Sequence, residues 1–580
     1  MGSPEPTLIT PLAVRHRVLL LVVIGSLLYV PFLGLRDFWY PDEPDIGEVC
    51  QAMYVSGDWV APRRVGEIWV DYPPMLYWAG AISAHALGGV SEFALRLTNA
   101  IAAIILVVLT CVAVSRWLGP RSGLWAGFML LSFQQFVAQA VEYRPDMLFA
   151  LFITAGFFAY AGGCEARGRW WLRALAFAFF GLAMLAKGPL GLLLPGLVLT
   201  LWHGSNREWR RLLGLAPLAV ISLAVYLPWF VACAGRMGAD NILYELYAQN
   251  FARFVAGARG HANPFYYYVA YFWGDLFPWS FLAPFALAWW VKTGRWRDRN
   301  AQLALWWFGT FLIFLSIAVT KRQVYLLPVY PAVALLLAPW VDSVGRGGED
   351  APSPKPVRGL AVLVVTLFSV LAAVSFTAVF ANDFVVEKAR LDAAEIAVAH
   401  GLRGPLAALG VLLVAGAVWI TAAWRGKRAG AILARIGIAA IVVYAALYGL
   451  VVPTLNPIKT YKPQSEWIRD FIGDETNFGI YHPQNDLGIR KKGAFAYYSG
   501  RLVTVLDEPE QVTEFFSEHP SSIVLVEEKA AAGLFADDEP AWRERVVREL
   551  RASRWTYLVV GPPVIEKDLF QAGGAVPPSF

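Results

Sequence analysis

Apolar stretches about one membrane thickness long recur along most of the chain, and they leave few folds open to it. A helix that crosses a bilayer needs about 20 mostly apolar residues, because in hydrocarbon every backbone polar group must be bonded within the segment itself. Thirteen such stretches fall at 16–35, 93–117, 122–141, 146–163, 171–187, 188–203, 213–234, 265–290, 302–319, 323–340, 359–381, 405–424 and 430–452. The segment 74–90 is apolar but short, and reads as an interfacial helix. Of the 580 residues 57% are hydrophobic and only 16% charged, against roughly 25% charged in soluble domains. The expected fold is a polytopic α-helical membrane protein. Its net charge of +5 gives no reason to invoke nucleic acid, since the basic residues sit in short loops between apolar runs.

Loop charge sets the orientation. With the N-terminus in the cytoplasm, the inner loops carry Arg116 and Arg121; Arg167, Arg169 and Arg173; Arg207, Arg210 and Arg211; Lys292, Arg295, Arg297 and Arg299; Arg346, Lys355 and Arg358; and Arg425, Lys427 and Arg428. Every inner loop is then basic, as the positive-inside rule asks. The outer loops hold an acidic first loop, Asp146, Asp240, Glu245 and the 382–399 segment. Counting 74–90 as a full span would invert all later loops and lose the pattern. Arg15-His16-Arg17 precedes the run from Val18 to Leu35 with no small-residue cleavage site, which reads as a retained signal anchor.

This topology implies a transmembrane domain over 1–452, with an outer loop at 36–92, and a domain over 453–580 on the outer side. The tail is more polar. Ile523-Val524-Leu525-Val526 and Tyr557-Leu558-Val559-Val560 read as strands, and 463–472 and 508–518 as helices, so a small α/β domain is expected there. It contains no phosphate-cradling glycine motif. The Gly-, Pro- and charge-rich stretch 343–357 reads as a linker. Cys50, Cys111, Cys164 and Cys233 are scattered, and their spacing suits neither a disulfide nor a metal-thiolate site.

The acidic first loop is the leading candidate for chemistry. It runs Trp39-Tyr40-Pro41-Asp42-Glu43-Pro44-Asp45, then Asp58, Glu67 and Val70-Asp71-Tyr72-Pro73-Pro74. Carboxylates beside a bilayer are costly, which makes a cluster of them a site by default. One ionised carboxylate near an incoming hydroxyl can take its proton and make the oxygen a nucleophile. Ile46, Val49, Met53 and Val55 give the following residues an amphipathic helical pattern, with Pro41 suited to its first turn. Asp42 is therefore either the cap of that helix or a catalytic group. Asp146, in Arg144-Pro145-Asp146, starts the fourth span on the same face and poses the same choice. Two acids at one mouth can divide base and orienting roles.

Cations on this outer face also need a reason. Lys187-Gly188-Pro189 breaks an apolar stretch, Thr320-Lys321-Arg322-Gln323 lies between two spans, and Arg63 and Arg64 lie in the first loop. Holding a lipid phosphate through charge-assisted hydrogen bonds is one reason, and snorkelling to headgroups is the other. His261, before the eighth span, is a candidate metal or phosphate contact together with Asp71, so a divalent metal is an open option. The run Phe265-Tyr266-Tyr267-Tyr268 reads as an interfacial aromatic belt, or as the lining of a sugar or acyl groove.

From about Asp37 to Pro331 the motifs together resemble those of the GT-C glycosyltransferases, and among them the bacterial lipid A aminoarabinose transferases and their protein-mannosyltransferase-like relatives. The motifs are Pro41-Asp42-Glu43, Ser56-Gly57-Asp58-Trp59-Val60, Asp71 through Trp78, Glu92 through Leu97, Arg144-Pro145-Asp146-Met147, Leu185 through Pro189, Leu227-Pro228-Trp229, Phe277-Pro278-Trp279 and Lys321 through Pro328. The resemblance implies an inverting transfer from a polyprenyl phosphate sugar, such as an undecaprenyl phosphate donor, without nucleotide sugar. The acceptor is a lipid A-like molecule, a glycan or a protein. Asp42 is implied as base or acceptor-orienting group, Asp146 as a positioning acid, and Lys187, Lys321 and Tyr325 as contacts of the departing lipid phosphate; Arg144 and Arg63 are further candidate donor or phosphate contacts. Glu43, Asp71 and Tyr72 are candidate acceptor contacts or further residues of the loop site.

Two departures stand out. The aminoarabinose transferases carry Asp-Glu-x-Arg, and here Asp45 stands at the arginine; they carry Glu-Lys-Pro, and here the stretch is Asp71-Tyr72-Pro73. Either Arg63, Arg64, Arg144 and Arg322 make good the two lost cations, or the substrates differ. A transporter or flippase of lipid-linked glycans is the alternative from another class. It would show ionisable residues at mid-membrane and a repeated half, whereas the polar residues here collect at one face and no repeat is visible.

Overall fold

The computed structural model describes residues 11–562 except 166–168, 257–261, 349–350, 390, 426–427, 475, 482–485, 535–543 and 553–554. Among the described residues, ten helices are long and apolar enough to cross a membrane. The other three of the thirteen expected spans take different forms. The stretch 122–141 divides into two helices, Pro120–Leu130 and Gln134–Ala140. The stretch 265–290 divides into helices Tyr267–Asp275 and Ala283–Lys292 around a 3-10 turn at Trp279–Leu282. Pro278 has no N–H with which to continue a helical ladder. The two breaks support each other: Gln134 N–H donates to Phe277 O at 3.3 Å, and Trp279 Nε1 donates to Ser132 Oγ at 2.8 Å. The stretch 188–203 is a shorter helix, Leu190–Ser205.

Nine helices position the site: α1 (Pro11–Tyr29), α2 (Glu43–Ser56), α3 (Met75–Leu87), α4 (Glu92–Leu118), α5 (Pro120–Leu130), α6 (Gln134–Ala140), α7 (Pro145–Glu165), α8 (Trp170–Lys187) and α9 (Leu190–Ser205). α4 begins where Ser91 Oγ accepts the Ala94 N–H at 3.2 Å, with Glu92 in its first turn. α3, from the short apolar segment, packs inward through Leu76, Tyr77, Gly80, Ala81 and Ala84. Its Gly80 sits so close to Tyr143 that an added Cβ would lie 2.1 Å from the phenol oxygen. α2 carries Ile46, Val49 and Met53 inward, as their spacing predicts. Val55 is exposed, and Pro44 rather than Pro41 occupies the first turn.

Between α2 and α3 lies a two-residue hairpin, β1 (Arg63–Arg64) with β2 (Glu67–Ile68). The C-terminal part holds a five-stranded mixed sheet of order β4-β3-β5-β7-β6: β3 (Asn477–Tyr481), β4 (Leu502–Leu506), β5 (Val524–Glu527), β6 (Val546–Ala552) and β7 (Trp555–Val560). β3 pairs parallel with β4 and β5, while β7 runs antiparallel to β5 and β6. Both apolar runs expected as strands fall in β5 and β7, and helices Lys462–Ile472 and Pro509–Glu518 lie where the pattern put them. This part is clamped onto the first loop. The Phe38 N–H donates to Tyr498 Oη at 2.6 Å, Tyr498 Oη donates to Glu92 at 3.1 Å, and the Phe38 ring lies 5.0 Å from that of Tyr497.

Candidate active site

Asp42 stands at the N-cap of α2 but makes no capping hydrogen bond. Its carboxylate instead accepts from two guanidinium groups, Arg144 Nη2 at 2.5 Å and Arg322 Nη2 at 2.5 Å. The capping explanation for Asp42 therefore fails on geometry. Each arginine is delivered by a pinned turn. Asn99 Nδ2 on α4 donates to the carbonyls of Glu142 and, at 2.8 Å, Arg144, so the turn before α7 is tied to α4. The Arg322 turn is held by its neighbour Lys321, which is buried and donates to the carbonyls of Ala318 and, at 2.8 Å, Asn263.

Glu43 is buried and fully engaged. Arg96 reaches it with two bonds at 2.8 and 2.9 Å, Arg36 lies at 2.5 Å, and the Tyr143 N–H donates to it at 3.0 Å. Burial alone would raise this carboxyl, but Arg36 and Arg96 with their hydrogen bonds hold it down to about 2. Glu43 thus fastens α2 to α4 and to the Arg144 turn, which aims Asp42.

Asp146 lies in the first turn of α7 and pairs with Lys187. Lys187 ends α8 because Gly188 follows with φ +74 and ψ −158, and Pro189 then starts α9. That reversal brings the ammonium over the Tyr325 ring at 4.2 Å and within 5.8 Å of the Phe149 ring. Burial pushes the Tyr72 phenol well up, and Asp71, Tyr325, Asp146 and Asp42 push it further.

Three cavities are lined by these residues and their ion-pair partners. An open-mouthed apolar cavity of about 1110 Å³ runs between Phe149, Leu194, Trp229, Phe311 and Phe314 and ends on Lys187, Tyr325, Asp71 and Tyr72. A polar chamber of about 340 Å³ shares Asp71 and Tyr72 with it and is lined by Asp42, Asp45 and Arg64. A third, polar cavity of about 770 Å³ is lined by Arg144, Arg322, Lys321, Gln135 and Gln139. Asp42 faces the second, and its two guanidinium partners face the third.

Of the residues singled out from sequence, Asp42, Asp71, Tyr72, Arg144, Asp146, Lys187 and Tyr325 come together at this junction. Lys321 lines the third cavity with its ammonium turned to backbone carbonyls. Arg63 does not join them: it donates to Gly66 O at 3.1 Å and lies 3.9 Å from Asp58 on the hairpin. His261 lies outside the described residues, and among the described residues no group of three or more His, Cys, Asp and Glu side chains is arranged to hold a metal ion. Sequence reasoning gave Arg322 and Arg64 only supporting roles. Arg64 lies 2.9 Å from Asp45, with its guanidinium 4.9 Å over the Trp69 ring. Arg96 was missed, although a lone charge one turn into an apolar span was a visible signal.

Residues 71–231 match the family model described as dolichyl-phosphate-mannose-protein mannosyltransferase. The undecaprenyl phosphate-alpha-4-amino-4-deoxy-L-arabinose arabinosyl transferase of Pseudomonas aeruginosa (strain LESB58) is 31% identical over 331 residues, 55% of this chain and 58% of that one. Its namesake in Edwardsiella ictaluri (strain 93-146) is 31% identical over 359 residues, 60% of this chain and 63% of that one. The match thus spans less than two thirds of the length of these curated relatives. Among solved structures, ArnT from Cupriavidus metallidurans in the apo state aligns with a TM-score of 0.73 at 20% identity, covering 94% of this chain and 98% of that one. The same protein bound to undecaprenyl phosphate gives 0.72 at 19% identity, with 95% and 98% covered. The chain is a multi-pass membrane protein with the fold of a GT-C glycosyltransferase. Within that class it resembles the bacterial aminoarabinose transferases.

Proposed function

We propose that this chain is an inverting glycosyltransferase of the bacterial inner membrane. It moves a sugar from an undecaprenyl phosphate donor to a lipid A-like, glycan or protein acceptor at the outer face, with its N-terminus in the cytoplasm and its C-terminal domain in the periplasm. One observation carries the reading: an apolar cavity ends on a lysine and shares Asp71 and Tyr72 with a polar chamber lined by Asp42.

The lipid occupies the apolar cavity and its phosphate lies at Lys187 and Tyr325. The acceptor oxygen approaches from the side of Arg144 and Arg322 and bonds to the anomeric carbon while the carbon–oxygen bond to phosphate breaks. The lipid phosphate departs with the electron pair. A hydroxyl acceptor gives its proton to Asp42; an acceptor phosphate has none to give, and Asp42 then orients it. Lys187 stabilises the charge that builds on the leaving phosphate, in a site already arranged for it. Asp146 positions Lys187. The approach and departure lie on opposite sides of the anomeric carbon, so configuration inverts.

Incubating the purified protein with undecaprenyl phosphate sugars and with lipid A, glycan and peptide acceptors tests this by mass spectrometry. Free undecaprenyl phosphate and a glycosylated acceptor are expected together. Donor that stays intact with every acceptor class overturns the proposal.

A further inference from the structure

We propose that Asp275, which lines none of the three cavities described, is a positioning residue for transfer. Its carboxylate clasps both ends of the short helical segment that follows Arg322 and carries Tyr325, and so holds both side chains at the site. The inference rests on the transfer reading above, in which Tyr325 meets the lipid phosphate and Arg322 pairs with Asp42.

Asp275 ends the helix Tyr267–Asp275, inside an otherwise apolar stretch, and is fully buried. Its two oxygens reach different points of one segment. Oδ1 accepts from Gln323 Nε2, and Oδ2 accepts from Tyr330 Oη at 3.2 Å. Between those partners runs a 3-10 helix of seven residues, Gln323–Val329, with Pro328 inside it, and Tyr330 opens the next helix, Tyr330–Arg346. Runs of 3-10 helix beyond about three or four residues are uncommon, because their hydrogen bonds are poorly aligned. Pro328 also supplies no N–H to the ladder. Such a segment gains from being held from outside. Asp275 grips its first residue and the residue just past its last, which constrains both its length and its rotation.

The clasped segment serves both sides of the site. Arg322 immediately precedes it and reaches Asp42 at 2.5 Å. Tyr325 is its third residue, and the Lys187 ammonium lies 4.2 Å from that ring. Close packing alone does not explain an acid behind this segment. Both donors to Asp275 are neutral, and among the described residues no lysine, arginine or histidine pairs with it. Burying a carboxylate without a countercharge costs free energy that an apolar side chain would not. In return, a carboxylate makes hydrogen bonds roughly twice as strong as neutral ones, and one group here ties down two ends of a segment.

Steady-state transfer by the full-length protein in nanodiscs tests the inference, using each undecaprenyl phosphate sugar and acceptor that react in the assay above. Rates are taken per folded molecule, with folding read by thermal unfolding. Asp275→Ala is expected to lower kcat about tenfold, within the roughly 10²-fold that a 1 Å misplacement can cost. Tyr330→Phe removes one donor, keeps the ring and is expected to lower kcat severalfold. The double variant is expected to be no slower than Asp275→Ala, because Tyr330 acts on the rate through Asp275. Asp275→Asn keeps an acceptor for Gln323 and a donor for Tyr330 Oη, and is expected to retain most of the activity. A merely structural role would lower the unfolding temperature and leave kcat per folded molecule unmoved. If the unmodified protein transfers nothing, the transfer reading fails and this inference with it. If it transfers and Asp275→Ala keeps full kcat, or Tyr330→Phe does so where Asp275→Ala does not fold, the inference alone is overturned. A loss in Asp275→Asn equal to that in Asp275→Ala, or a double variant slowed by the product of the single losses, overturns it as well.

Discussion

Two ion-paired clusters sit at opposite ends of α9, built from the same kinds of side chain but arranged to different effect. At the far end from Lys187, the buried His203 ring contacts Tyr160 Oη at 2.8 Å and Glu208 at 2.7 Å. Glu208 also accepts from Arg211 at 3.0 Å and from Arg299 at 2.7 Å, and Arg299 lies 4.6 Å over the Trp202 ring. Each group there is matched by another protein group, which stitches α7, α9 and the helix Arg299–Ile317 together. At the Lys187 end, Lys187, Asp71, Asp42, Arg144 and Arg322 line cavities, and Asp42 in one of them is paired with Arg144 and Arg322 in another. A charge network becomes a site when its members border space that a substrate can fill.

The largest expected effect breaks or makes that contrast. Asp42→Asn should lower transfer by about 10²–10⁴-fold, the usual contribution of a general base, in a variant that still folds but is somewhat less stable because Arg144 and Arg322 lose their shared carboxylate. Glu208→Gln, at the other end, should leave transfer within about threefold of the unmodified protein. Rates measured side by side on both variants settle the matter: comparable losses from the two substitutions would erase the distinction between stitch and site.

Glu43→Gln comes next, and it sharpens the contrast within the site end itself. Glu43 is one residue from Asp42, yet it is buried against Arg36 and Arg96 and lines none of the three cavities described. Removing its charge leaves two guanidinium groups unpaired, at a cost of about 3–5 kcal/mol, read as a fall in thermal stability. The pH dependence has a definite sign. The folded carboxyl is held at about 2 against an ordinary 4.5, so its stabilisation is complete above about 4.5 and is lost as pH falls from there toward 2. In Glu43→Gln, the acid-induced fall in stability should be shallower across that window.

These pairs show how far the sequence could be read. Thirteen apolar stretches, the strands of the tail and the face bearing the acids all follow from hydropathy and charge, because burial in lipid is a one-dimensional constraint. Where the chain breaks inside a stretch was less visible, since Pro278 and Ser132 act through each other's neighbourhoods. Asp42 and Glu43 looked equivalent along the chain. Arg96, one turn inside α4, and Arg36 separate the anchor from the group that faces a cavity. Lys321 and Arg322 posed the same problem: the ammonium turned to backbone carbonyls and the guanidinium reached Asp42, a division set by the turn rather than by residue type.

Glu208→Gln should also lower stability by about 1–2 kcal/mol, less than Glu43→Gln, because the carboxylate is partly open to solvent although its bonds are charge-assisted. Burial would raise this carboxyl, but Arg299, His203 and Arg211 hold it at about 2. Its stabilisation is therefore lost in the same acid window as that of Glu43. Acid unfolding that is shallower in this variant, at unchanged transfer near neutral pH, is the outcome that marks a structural stitch.

The smallest effect is expected at Arg63, and it tests the rule at one-residue resolution. Arg63 and its neighbour Arg64 stand on one hairpin strand, where successive side chains point to opposite faces. Arg64 is buried against Asp45 and the polar chamber, while Arg63 is partly exposed, with its Asp58 partner 3.9 Å away. An ion pair of that length in solvent contributes about 0–1 kcal/mol. Arg63→Ala should therefore change unfolding temperature and transfer rate little, whereas Arg64→Ala leaves Asp45 without its cation and should impair both. If Arg63→Ala instead slowed transfer as much as Arg64→Ala, contact with a cavity would not be what divides catalytic cations from bystanders in this loop, and the hairpin would have to move during the reaction to bring Arg63 inward.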